Sequence, residues 1–218
     1  MPARHFTFLP LILMKNSFKR SFLFRVATLL LVLSAAGFSG CNKDNNNAQE
    51  DAEKHQAEYK VIDDGVIRAY LTRNNFTEGT GINQFQRLNG ATNDGIYLVK
   101  LSEGSGTTNI ISGNRVEVKY VGRYMRPATE QYNENVVFDN STEKGIPCGC
   151  IPVTVGATGF IPGWTEGLLQ MKKGDRKLLL IPSYLAYGPA GQYNQTTRTY
   201  NIPPDEPLLF NMEVLDVR

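Results

Sequence analysis

From residue 116 to the C-terminus, apolar and polar positions alternate with a period of two. Val116, Val118, Tyr120, Gly122 and Tyr124 share one side of an extended chain; Glu117, Lys119 and Arg123 share the other, with Val121 the exception. Such alternation predicts a strand with one face on a core. Phe210, Met212 and Val214 alternate with Asn211 and Glu213 in the same way. Ile151, Val153 and Val155 give a third run, and Lys177 to Ile181 a fourth that is more continuously apolar. Between the third and fourth, Trp164, Leu168 and Met171 recur at helical spacing after Pro162, with Gly174 placed as a C-terminal stop. Strands gathered around one short helix predict an α+β fold, an antiparallel β-sheet wrapped on that helix.

Upstream the period changes. Tyr59, Val61, Ile62, Val66, Ile67, Tyr70 and Leu71 recur every three to four residues and predict an amphipathic N-terminal helix over 57–76, ending near Asn74-Asn75. Asp63-Asp64-Gly65 weakens that pattern, since a glycine inside a helix costs about 1 kcal/mol against alanine. A glycine-rich loop, a strand over 95–101 and a turn through Gly104-Ser105-Gly106 follow. Residues 42–51 are polar and read as a solvated tether. The expected organisation is a signal peptide over 1–40, with Met14 a candidate start, a lipidated polar tether over 41–56, a helix-and-strand extension over 57–108, and a folded domain over 109–218.

At 218 residues, 41% apolar and 20% charged, the chain has room for one well-cored domain and an appendage. The formal charge of +2 hides an asymmetry. Five of the 23 bases (Arg4, Lys15, Lys19, Arg20, Arg25) lie in the first forty residues, which hold no acids, so the remaining 18 bases face 21 acids and the balance there is −3. Nothing in that balance points to a nucleic-acid partner. The basic region, the apolar run Val26–Phe38 and the small residues after it suit a signal peptide, the run being short for a bilayer span. Phe38-Ser39-Gly40-Cys41 resembles the lipobox of bacterial lipoproteins, with Phe38 where leucine is usual. That implies acylation of Cys41 and a membrane contact made only through the lipid anchor. Asn42, in place of an aspartate retention signal, directs the expectation to the outer membrane of the cell envelope. Cys148 and Cys150 flank Gly149: two unlinked loop thiols are the first expectation, a disulfide closed by a bulge at Gly149 the second, and a metal site, with no histidine near, the third.

Several segments then fall in one order: Val116–Gly122; Phe138-Asp139-Asn140-Ser141; Val155-Gly156; Phe160-Ile161-Pro162-Gly163-Trp164; Glu166-Gly167-Leu168; Gly174-Asp175-Arg176-Lys177; Ile181-Pro182; Leu185-Ala186-Tyr187-Gly188; Ile202-Pro203-Pro204; and Leu208-Leu209-Phe210. Each is weak alone. Together, in this order and spacing, they resemble the FKBP-type peptidyl-prolyl cis-trans isomerases over nearly half the chain. The resemblance implies a proline pocket built from Tyr120, Phe138, Phe160, Ile161, Trp164, Ile202 and Phe210, with Asp139 and Tyr187 as the catalytic polar groups. It departs from the family at Asn140, inserted into the usual Phe-Asp-Ser spelling. It departs again at Ile151, a pocket-wall position usually aromatic, and in the longer segment between Gly188 and Ile202, which overhangs the pocket in the family.

Outside that pattern, Trp164 and the three phenylalanines would be ordinary core residues and Asp139 a turn aspartate. Inside it, they fit a reaction that requires no nucleophile, metal or cofactor. Rotation about an X–Pro bond faces a barrier of about 18–20 kcal/mol from amide resonance, and an apolar site that holds the twisted form lowers it. The resemblance implies proline-containing polypeptides as substrates, macrolide inhibitors of the family as ligands, and a role in folding exported proteins. A proline-segment or partner-binding module with little turnover is the alternative.

Overall fold

The computed structural model describes residues 43–218, with side chains of the first helix described from Asn47 onward. The expected signal peptide, the candidate start at Met14 and the expected lipid anchor at Cys41 lie outside these residues. The chain divides into two compact units, Met1–Glu53 and Lys54–Arg218. Of the first unit, the described part is helical, and residues 47–53 are exposed.

Helix α1 spans Lys43–Arg73. It therefore begins well before the predicted residue 57, inside the stretch expected to be a solvated tether. That stretch has no helix breaker between Lys43 and Gln56, and a polar sequence can extend a helix that its other end anchors. The apolar face also differs from the periodicity. Val61 is 75% exposed and Ile62 is exposed, whereas Asp63, Ile67, Tyr70 and Leu71 are buried.

In the second unit, ten strands follow: β1 (Thr77–Glu78), β2 (Gln84–Arg87), β3 (Tyr97–Ser102), β4 (Arg115–Tyr124), β5 (Val137–Asn140), β6 (Ile151–Thr154), β7 (Arg176–Ile181), β8 (Gln192–Asn194), β9 (Thr199–Ile202) and β10 (Leu208–Val217). Helix α2 (Pro162–Leu168) lies between β6 and β7. The main sheet runs β1-β2-β3-β7-β10-β4-β5, with β6 also on β4. Every pairing is antiparallel except the two-residue contact of β1 with β2. Strand β4 is gripped by β6 at its start and by β5 at its end, while β10 runs along its other edge.

The two faces of this sheet carry separate cores. On one, Val118, Met212, Val214, Leu179 and Ile181 pack with Trp164, Leu168 and Met171 of the α2 segment. On the other, Tyr97, Val99, Leu178, Leu180 and Leu209 pack with Ile67, Tyr70 and Leu71 of α1. This explains the continuous apolar run of β7: a strand covered on both faces has no solvent side to make polar. Helix α2 approaches β7 closely because it carries glycine where it crosses. A Cβ on Gly163 would lie 2.3 Å from Ile181, and one on Gly167 2.1 Å from Leu179.

Gly174 does not stop the helix, which ends at Leu168. It sits in the turn before β7 with φ +86°, where a Cβ would meet Gly104 Cα at 2.9 Å. Asp175, next to it, accepts from the Gly104 and Lys172 N–H groups at 2.8 and 3.0 Å and fastens the two turns together. The pair Cys148–Cys150 is disulfide-bonded, against the first expectation of two unlinked thiols. Gly149 makes the bridge feasible. Its φ of +62° folds the chain back so that the flanking Cα atoms stand 5.2 Å apart, inside the range a disulfide requires. The long segment after Gly188 is a β8–β9 hairpin rather than an open loop, with Asn194 Oδ1 capping its turn through the Thr196 and Thr197 N–H groups.

Candidate active site

A cavity of about 150 Å³ opens on the α2 side of the sheet, lined by Tyr120, Phe138, Asp139, Gly159, Phe160, Ile161, Trp164, Tyr187 and Phe210. Strand β4 supplies Tyr120 from its inward face, β5 supplies Phe138 and Asp139, and β10 supplies Phe210. The loop into α2 supplies Gly159, Phe160 and Ile161, and Trp164 stands in the first turn of the helix. Register explains the convergence. Gly122 is paired with Asp139 on one side and Phe210 on the other. Its missing side chain is what leaves room, because a Cβ there would lie 2.7 Å from the Phe138 ring and 3.1 Å from Phe210.

The floor is an interlocked aromatic set. Trp164 meets Tyr120 edge-on at 4.8 Å and Phe210 edge-on at 5.2 Å, and Phe160 stacks on it at 5.4 Å. Phe138 meets Phe210 edge-on at 5.6 Å and Tyr124 at 5.2 Å. Edge-to-face contacts fix each ring's orientation as well as its position. Trp164 is almost wholly buried, whereas Phe160 is exposed at the rim.

Polar groups stand at one side. The Tyr120 hydroxyl donates to Asp139 Oδ2 at 2.7 Å, and Lys144 Nζ and the Asn140 N–H donate to Oδ1 at 2.5 and 2.9 Å. Asp139 is thus held by three donors, with its orientation set by neighbours on β4 and the turn after β5. Burial, then the hydrogen bond and charge of Asp139, raise the Tyr120 phenol above its usual range. Burial, then the Asp139 charge, raise Tyr187 too. Both phenols therefore stay protonated, and able to donate, throughout neutral pH. No described residue hydrogen-bonds the Tyr187 hydroxyl, and no described backbone carbonyl accepts from the Ile161 N–H outside α2. These are two free donors at an apolar floor.

Eight of the ten sequence-derived pocket residues meet here. Ile202 and Ile151 do not line the cavity. Ile202 is buried in the core at the base of β9, and Ile151 packs half-buried against the core from β6. Sequence reasoning missed Gly159, Lys144 and the part played by Gly122. Lys144 carries no motif; a turn after Ser141 brings it back to Asp139. Gly122 was legible only as one more inward position.

The lining holds no cysteine, histidine, serine or lysine. An apolar, ring-walled slot with donors at its edge has the shape and chemistry to take an apolar ring and its neighbouring carbonyls, as a peptide-bond rotamase requires. Comparison with known proteins makes this specific. The sequence pattern described as "FKBP-type peptidyl-prolyl cis-trans isomerase" matches residues 106–215, and the chain belongs to that family of enzymes. It is similar to FK506-binding protein 2 of Yarrowia lipolytica, at 34% identity over 55% of this chain and 72% of that protein. Macrophage infectivity potentiator of Trypanosoma cruzi is 35% identical over 57% of this chain and 54% of that protein. FkpA of Escherichia coli is 44% identical over 37% of this chain and 26% of that protein. The chain thus spans about half the length of the second relative and about a quarter of the third.

Proposed function

We propose that the cavity over Trp164 is where this isomerase turns X–Pro bonds, by non-covalent catalysis and without a cofactor. The observation that carries the assignment is the pairing of a desolvated aromatic floor with two unengaged donors, the Tyr187 hydroxyl and the Ile161 N–H. The pyrrolidine ring rests on Trp164 between Phe138, Phe160 and Phe210. The Ile161 N–H and the Tyr187 hydroxyl hold substrate carbonyls, and Asp139 orients the polarised carbonyl through its fixed carboxylate without transferring a proton. Loss of amide conjugation in the twisted state lowers the polarity of the C–N unit. A site that excludes water therefore favours that state over the planar ground state.

The test is a prolyl-isomerase assay with Asp139→Ala and Tyr187→Phe. Losing one interaction worth about 1.5 kcal/mol at the transition state lowers kcat/KM about tenfold. Wild-type rates in both variants would remove these residues from the mechanism and leave a proline-binding module.

The wider role follows from the front of the chain. The basic and apolar run ending at Phe38-Ser39-Gly40-Cys41 supports export and acylation of Cys41, which would hold the isomerase at the bacterial cell envelope, on the outer membrane, to assist folding of exported proteins. Labelling with a fatty-acid analogue is expected to vanish in Cys41→Ala; persistence would overturn the anchor.

A further inference from the structure

The disulfide Cys148–Cys150 lies outside the isomerase cavity and encloses a single residue. A bridge that closes so short a loop removes little entropy from the unfolded chain, since that gain grows with loop length. The local structure is also secured without it. Gly149 N–H donates to Ile146 O at 2.8 Å, Ser141 Oγ donates to Gly149 O at 2.6 Å, and β6 begins directly after Cys150. The bridge is therefore poorly suited to act as a staple.

Its two cysteines are unequally exposed. Cys148 is exposed, while Cys150 is 2% exposed. The Cys150 N–H donates to Cys148 Sγ at 3.2 Å, the interaction that stabilises a thiolate when that sulfur carries charge. The Lys119 side chain runs beside this turn, its Cε 4.0 Å from where a side chain on Gly149 would begin. The bridge is also tied to the cavity. Ser141, which holds Gly149 O, accepts at Oγ from the N–H of Tyr120, whose hydroxyl holds Asp139.

From this asymmetry we propose a second activity: Cys148-Gly149-Cys150 is a dithiol–disulfide exchange site that oxidises polypeptide dithiols. A client thiolate attacks the exposed Cys148 Sγ, forming a client–Cys148 disulfide and breaking the internal one, and the electron pair leaves on Cys150 Sγ, which takes a proton. A second client thiolate then attacks the client sulfur. The client disulfide forms and Cys148 departs as a thiolate stabilised by the Cys150 N–H. Two electrons pass to the protein, which ends with two thiols, and the client dithiol ends oxidised. The substrate class is a reduced polypeptide with cysteines near a proline, the residue that the proposed pocket, linked to the bridge through Ser141 and Tyr120, would hold.

The experiment uses the full chain carrying Cys41→Ser, oxidised, mixed with an equimolar reduced peptide holding an X–Pro bond between two cysteines. Alkylation and mass measurement are expected to find two new protein thiols for each peptide disulfide formed. With the disulfide form of the peptide, Cys150→Ser is expected to accumulate a mixed disulfide through Cys148 at least tenfold faster than Cys148→Ser does through Cys150. A protein bridge that stays oxidised, or equal trapping through either sulfur, would overturn the proposal. Isomerase turnover of a cysteine-free proline peptide, measured on the same samples, establishes that each variant is folded. It also separates failure here from failure of the isomerase assignment.

Discussion

The two faces of the main sheet are built from the same strands but answer different demands. On the α2 face, Tyr120, Phe138, Trp164 and Phe210 meet edge-on around a space that Gly122 keeps open. On the α1 face, Ile67, Leu71, Val99, Leu178, Leu180 and Leu209 close against one another, with the tyrosines Tyr70 and Tyr97 among them. Rings with two side-chain torsions make a rigid wall at low entropic cost, and glycine leaves a gap that packing would otherwise fill. Aliphatic side chains fill space and leave none. Substitutions on the α1 face should therefore move stability, and those on the α2 face catalysis.

The strongest break in this contrast is expected from Leu71→Ala. Leu71 is buried under the α1 face, and truncating such a leucine lowers unfolding free energy by about 2–5 kcal/mol. Denaturant unfolding is expected to register that loss, while kcat/KM of the folded fraction stays at the wild-type value. A fall in kcat/KM under fully native conditions would mean that the two faces are coupled.

Asp63 is the exception on the α1 face and gives the next prediction. Its Oδ2 accepts from the Ser183 N–H and hydroxyl, both at 2.7 Å, while Oδ1 is buried without a partner. Burial pushes its pKa up from 3.8 to about 6 against the opposing effect of those bonds. The folded state thus holds the proton more tightly than the unfolded chain. This contribution is fully present below about pH 4 and is lost as pH rises through about 6, with an upper size of about 3 kcal/mol. Asp63→Asn removes it. Unfolding free energies measured from pH 4 to pH 7.5 are expected to decline less steeply in the variant. Parallel curves would show that Asp63 does not carry the slope.

Gly122→Ala attacks the other face. The added Cβ must displace the Phe138 ring, and because that ring borders open space, the cost in stability is modest, about 1–2 kcal/mol. The ring moves into the slot instead, so kcat/KM is expected to fall on the order of tenfold, as misplacement at a site does. A loss of stability with unchanged turnover would contradict the role given to this glycine.

What could be read in the residues follows the same division. Strands β4 and β10 were legible because one inward and one outward residue per step is a simple code, and the pocket aromatics because they stand at motif positions. The helix was less legible. Val61 and Ile62 fit the apolar period yet are exposed, and Asp63 fits a polar surface yet is buried, because its two donors, the N–H and the hydroxyl of Ser183, lie 120 positions away. The Cys148–Cys150 bridge depended on a backbone angle at Gly149 that spacing alone does not specify. Long-range polar pairing and local backbone angle are the two things that periodicity does not encode.

Lys144 tests the contrast at its finest grain, since it touches the site without lining it. Its ammonium bonds Asp139 Oδ1, but both side chains are over a third exposed, at 43% and 38%. An exposed pair of this kind contributes about 0–1 kcal/mol and weakens with salt. Asp139 keeps two other donors, the Tyr120 hydroxyl and the Asn140 N–H, when Lys144 is removed. Lys144→Ala is therefore expected to lower kcat/KM less than about fivefold, with the difference shrinking further between 50 mM and 500 mM salt. Stability should be near wild type. A larger, salt-insensitive loss would mean that the orientation of Asp139 depends on the lysine rather than on Tyr120, and that the polar edge of the cavity is set from the turn after β5, not from the sheet.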